Sequence, residues 1–175
     1  MTEEAGRTGE SGQTEDDAGR MTLPAAQAAL AAEHAAVYGY GVLGGRLEGR
    51  RRTDATAAHD AHRARRDALV RRVRDLGGAP VAADAAYALP FAVRDPAAAV
   101  RLAALLEDRI AGVYSDLVRA AHGPLRQEAA AALREAAVRS VRWRGTGVAF
   151  PGLVEKAAAR PSDETAEAGA AAVTH

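Results

Sequence analysis

At 175 residues, with no cysteine and a formal net charge of zero, the chain has the length of one domain with tails, and disulfides, zinc–thiolate sites and thiol catalysis are excluded. Alanine supplies 46 residues and aromatics only 4%, which favours closely packed helices over sheets. The neutral total is uneven: residues 21–154 hold 19 basic and 13 acidic side chains, a mildly basic core well short of a dedicated nucleic-acid binder.

Residues 1–20 are acidic and polar without an apolar run, so they read as a disordered tail rather than a secretory signal. Met21, directly before TLPAAQAAL, offers an alternative start. No stretch approaches the roughly 18 apolar residues of a membrane span, and a cytoplasmic location is expected by default. Residues 155–175, Ala/Glu/Thr-rich and unpatterned, read as a second disordered tail. The ordered unit is therefore expected over 21–154, as an all-α four-helix bundle.

A first helix is expected from about Leu23 to Leu47, with Thr22 as its cap and Pro24 in its first turn. Its stripe is Ala26, Leu30, Glu33, Val37, Tyr40, Gly44 and Leu47. Gly39 and Gly41 within it imply a close helix approach, a kink, or fraying toward the turn. A second helix, about Asp54 to Leu76, closes at Gly77-Gly78 and turns Ala55, His59, His62, Arg66, Leu69 and Val73 to one side. The third opens at Asp95-Pro96, a cap followed by proline at the first helical position. Its stripe includes Val100, Ala104, Glu107, Ile110, Tyr114 and Leu117. The fourth, about Pro124 to Arg144, is weaker in pattern, with Ala130, Leu133, Ala137 and Val141 on one face and Trp143 displaced from it. Beyond it, Val148, Phe150 and Leu153 are expected to cover one bundle end.

The links differ in length. Helices 1 and 2 are joined by a few residues, and helices 3 and 4 meet at Gly123-Pro124, so each pair is an antiparallel hairpin. Between the pairs lies GGAPVAADAAYALPFAVR, too long for a tight turn. It is expected to run along the bundle as a single long crossover, the ferritin-like topology.

Ionisable residues recur on the inner stripes: Glu33 on helix 1, His59 and His62 one turn apart on helix 2, Glu107 on helix 3, and Glu135 on the flank of helix 4. Glu33 to His62 spans 29 residues and Glu107 to Glu135 spans 28, a weak internal repeat. With AALAAEHAAVYGYG, AHDAHRARRDAL, YALPF, LLEDRIAGVY and VRWR, the chain resembles the ferritin-like superfamily, and most closely a ferritin-like domain family of unknown function found in high-GC bacteria. Di-iron members of that superfamily use one Glu from each of two helices and a Glu-x-x-His from each of the other two. The resemblance assigns Glu33 and Glu107 to the single glutamates. The first Glu-x-x-His place reads His59-Asp60-Ala61-His62, and the second reads Glu135-Ala136-Ala137-Val138. The resemblance therefore implies no standard ferroxidase centre and no classical enzyme. It implies instead an altered, mononuclear site of Glu33, His59, His62, Glu107 and Glu135 for Fe, Mn, Zn or Cu, with the hydroxyls of Tyr40 and Tyr114 behind the ligands.

A metal-free alternative stands beside it: the buried Glu and His pair with one another or with Arg66. The rival function is then a helical interaction module, binding a protein or, less readily, RNA through the arginines of helix 2. These alternate with Asp60, Asp67 and Asp75, as on a solvated, salt-bridged face. Homodimerisation through an apolar face is a further expectation for an alanine-rich bundle.

Overall fold

Four helices form in chain order: α1 (Arg7–Gly44), α2 (Gly49–Asp75), α3 (Pro96–Ala120) and α4 (Gly123–Arg144). The computed structural model describes residues 7–145, with side chains from Met21 onward, and no strand occurs among the described residues. The expected covering segment around Val148, Phe150 and Leu153 lies outside the described residues.

Two of the expected boundary devices are present. Asp95 caps α3 by accepting a hydrogen bond from the Ala98 amide at 2.7 Å, with Pro96 next in line. At the other end of the crossover, Gly77 takes φ 79°, and the Gly77 and Gly78 amides each donate to a carbonyl of the last turn of α2 at 2.9 Å. Two expectations are corrected. The first helix begins at Arg7, not Leu23, so Pro24 lies inside it, where its missing amide forgoes one helical bond. Thr22 consequently lies inside the helix rather than at its start; its hydroxyl donates to the Ala120 carbonyl at 2.6 Å and ties α1 to the end of α3. The second helix begins at Gly49, five residues earlier than Asp54, and takes in the Arg50-Arg51-Arg52 run.

Close packing joins α1 to α2, α1 to α3, and α3 to α4. Two apolar clusters divide the interior. One unites Leu30 of α1, Leu69 and Val73 of α2, Ile110 and Leu117 of α3, and Ala129 of α4. The other unites Leu43 and Leu47, Ala55 and Ala58, Ala99 and Leu102, and Trp143. Both α2 and α3 therefore run from the second cluster toward the first, and the chain between them must return the full length of the bundle. It does so along α1. The Gln27 amide group holds Ala79 and Val81, His34 meets the Val81 carbonyl at 3.2 Å, and Tyr38 packs on Tyr87. Phe91 and Val93 then reach the second cluster. Two antiparallel hairpins joined by one long crossover are the result.

α4 corrects the sequence reading most. Its buried face is Ala129, Ala132, Ala136, Ser140 and Trp143, while Val138 and Val141 are exposed and Ala130 faces out. The inward stripe is thus shifted by one residue, about 100° around the helix. Small residues on that face let α4 lie close against α3. On α1, Gly39 makes a similar approach: a Cβ there would stand 2.6 Å from Leu106 Cδ1.

Candidate functional site: a buried ion-pair layer

The inner stripes of α1, α2 and α3 each place one ionisable residue between the two apolar clusters. Glu33, His62 and Glu107 are all 0% exposed. His62 sits between the two carboxylates, with Nδ1 2.7 Å from Glu33 Oε2 and Nε2 3.1 Å from Glu107 Oε1. The Tyr114 hydroxyl donates to Glu33 Oε1 at 2.7 Å, and the Tyr40 hydroxyl donates to Glu107 Oε1 at 2.6 Å. Tyr40 also stacks on the His62 ring and accepts from Trp143 Nε1 at 2.9 Å. From α4, Arg139 Nε reaches Glu107 Oε1 at 2.7 Å.

The charges follow from these contacts. Burial alone would favour a neutral imidazole, but the hydrogen bonds and charges of Glu107 and Glu33 outweigh it, and His62 is held above its ordinary pKa of 6.5. Burial alone would likewise favour a protonated Glu107, but His62 and Arg139 outweigh it and hold its carboxyl below the usual 4.5. Burial, reinforced by the adjacent carboxylate, pushes both tyrosine hydroxyls well up, so they remain donors. With the acids ionised and His62 protonated, the two carboxylates, the imidazolium and the guanidinium sum to zero. A buried charge set is tolerated when it is paired and hydrogen-bonded in this way.

Of the five expected ligands, the structure brings three together and leaves two apart. His59 is one turn from His62 in sequence, yet Ala58 takes the inward place and His59 pairs loosely with Asp60 at 3.4 Å near the surface. Glu135 is about half exposed and forms ion pairs with Arg65 and Arg139. Among the described residues, no three or more His, Asp or Glu side chains are disposed to hold one metal ion. Tyr40 and Tyr114 do stand behind the glutamates. Arg66, the expected partner of the buried acids, instead pairs with its neighbour Asp67.

Sequence reasoning missed Arg139, Trp143 and a second buried tie, in which Asp108 accepts from Ser140 Oγ at 2.6 Å and pairs with Arg144. All but Asp108 lie on α4, whose face was misplaced. Trp143 was the available signal: counting back seven and fourteen residues from the chain's single tryptophan gives Ala136 and Ala129, the true stripe.

The α2–α4 seam is built differently from the other three. Its ties are side chains: Arg65 to Glu135, Arg72 to Glu128, and Arg51 to the Arg142 carbonyl. Beside Trp143 the two helices leave a groove of about 910 Å³, whose charged lining is five arginines and two acids. No helix among the described residues is long and apolar enough to cross a membrane.

Comparison with known proteins adds family and fold. The family model described as Domain of unknown function (DUF4439) matches residues 25–155. The crystal structure of a conserved hypothetical protein, rv2844, from Mycobacterium tuberculosis is similar, with a TM-score of 0.68 and 33% sequence identity. The likeness covers 74% of this chain and 96% of that one. No curated protein matches.

Proposed function

We propose that this chain, which belongs to the family described as Domain of unknown function (DUF4439), is a metal-free helical binding module on a ferritin-like frame. In this reading it engages an anionic partner through the arginine-rich seam between α2 and α4. The hairpin–crossover–hairpin topology supports the ferritin-like part of the reading. The observation that carries the metal-free part is the closure of the buried layer on itself. Both ring nitrogens of His62 are engaged by carboxylates, and Arg139 brings a fixed positive charge onto Glu107.

The donor set does not fit a metal centre of the ferritin-like kind. A metal would need a neutral imidazole or a free carboxylate lone pair from this set. Here both ring nitrogens are engaged by carboxylates and the imidazole pKa is held up by them, so a metal would have to displace that proton. Arg139 stands on Glu107 as a permanent cation and would repel a second one.

A single observation favours the competing reading of a mononuclear metal: Glu107 Oε2 is buried without a hydrogen-bond partner among the described residues. Purification without chelator followed by elemental analysis decides between the two. The metal-free reading expects well under one equivalent of Fe, Mn, Zn or Cu per chain and no shift of the melting temperature when each is added. A stoichiometric metal that is lost in His62→Ala would establish the competing reading.

A further inference from the structure

The α2–α4 groove beside Trp143 combines three properties that nothing else in the fold accounts for. It is concave and about 910 Å³, within the several-hundred to ~1,000 Å³ range of small-molecule sites. Its lining carries a surplus of three positive charges, five arginines against Asp54 and Glu135. Glu135 is already occupied by Arg65 and Arg139, whereas the side chains of Arg50, Arg134 and Arg142 have no ion-pair or hydrogen-bond partner among the described residues. These three come from two helices that are not closely packed against each other, and they converge on one concavity.

The remaining two arginines are tied into the frame. Arg51 lies over the Trp143 ring, 5.3 Å from its centroid, and donates to the Arg142 carbonyl. Arg139 spans the groove and the buried layer through its bond to Glu107, and its Nη2 is buried and unpartnered. A salt-bridged surface would be expected to interleave acids with these cations, as the α2–α4 seam does farther along, where Arg72 pairs with Asp75 of its own helix and Glu128 of α4. Here the acids are too few. A cluster of unpaired guanidiniums in a concavity focuses positive potential, and each presents a planar fork of donors that matches phosphate and carboxylate oxygens.

We infer that this groove binds a small polyanion, a molecule with two or more phosphate or carboxylate groups, through Arg50, Arg134 and Arg142. The inference rests on the reading of the α2–α4 seam as an anion-binding face and names the ligand class it takes. Trp143 forms part of the wall, and as the chain's only tryptophan it reports occupancy directly.

The test is a titration of the full chain with pyrophosphate and with citrate, at constant ionic strength, followed by tryptophan fluorescence and calorimetry. Saturable binding with a Trp143 signal is expected, weakened at least tenfold in Arg134→Gln/Arg142→Gln. The charge-matched Arg109→Gln/Arg126→Gln variant should bind as the wild type does. A response to pyrophosphate alone assigns the phosphate class, and one to citrate alone the carboxylate class. No saturable binding of either probe, or equal weakening by both double variants, would overturn the proposal. Circular dichroism of each variant keeps loss of binding separate from loss of fold. Failure with both probes in a protein free of metal removes the ligand class and leaves the metal-free reading intact, whereas stoichiometric metal removes that reading whatever the groove binds.

Discussion

The buried layer and the α2–α4 seam are made from the same side chains, arginine and glutamate with one histidine added, yet they do opposite things. Between the apolar clusters, Glu33, His62, Glu107 and Arg139 neutralise one another with no exposed surface on the first three. Along the seam, Arg72–Glu128 is open to solvent on both sides and Arg65–Glu135 on its glutamate side, and near Trp143 the cations outnumber the acids. The comparison teaches that burial sets what a charge pair is worth. Out of water a missing partner is costly; at the surface solvent replaces it.

The largest effect should come from breaking the buried layer. His62→Ala leaves two carboxylates facing each other in the interior and is expected to destabilise the fold by about 3–5 kcal/mol. Thermal unfolding would then move down on the order of 10 °C or more. A change under 1 kcal/mol would mean that water or a metal already screens those acids.

A smaller and more diagnostic effect is pH dependence. Because the folded-state pKa of His62 is raised, its contribution is complete below about 6.5 and is lost as pH rises through the higher folded value. Glu107, depressed in the folded state, contributes fully above about 4.5 and loses that contribution as pH falls through its lower folded value. Stability measured by denaturant titration should therefore be flat between these limits and fall on both sides. His62→Asn should abolish the alkaline decline; if that decline persists in the variant, His62 is not its source.

The smallest effect belongs to the seam. A double-mutant cycle on Arg72 and Glu128 should give a coupling of about 1 kcal/mol or less that fades in high salt. A coupling that resists salt would erase the contrast between the two regions.

How much of this was legible in the sequence depended on the size of the neighbouring side chains. On α1 and α3, Leu30, Ile110 and Leu117 mark the inward face, so Glu33, Glu107, Tyr40 and Tyr114 could be placed by period alone. On α2 the same counting admitted both His59 and His62, because three-residue spacing puts both near one face. Only packing at Ala58 showed that His62 alone points in. On α4 the pattern failed, since alanine on every side gives no period, and Val138 and Val141 pointed to a face that turned out exposed.

The local devices were therefore determined by the sequence itself: four helices, the Asp95-Pro96 start, the Gly77-Gly78 stop, and a crossover too long to be a turn. Each depends on backbone chemistry within a few residues. What only the tertiary structure decided is the partner of each charge. Glu107 and Arg139 lie 32 residues apart and Glu33 and Tyr114 lie 81 apart, and no local preference encodes those meetings. They arise from the rotation of α4 against α3 and of α1 against α3. That rotation is set by where small residues allow helices to approach, and it settled which acids were enclosed with a cation and which arginines were left facing an open groove.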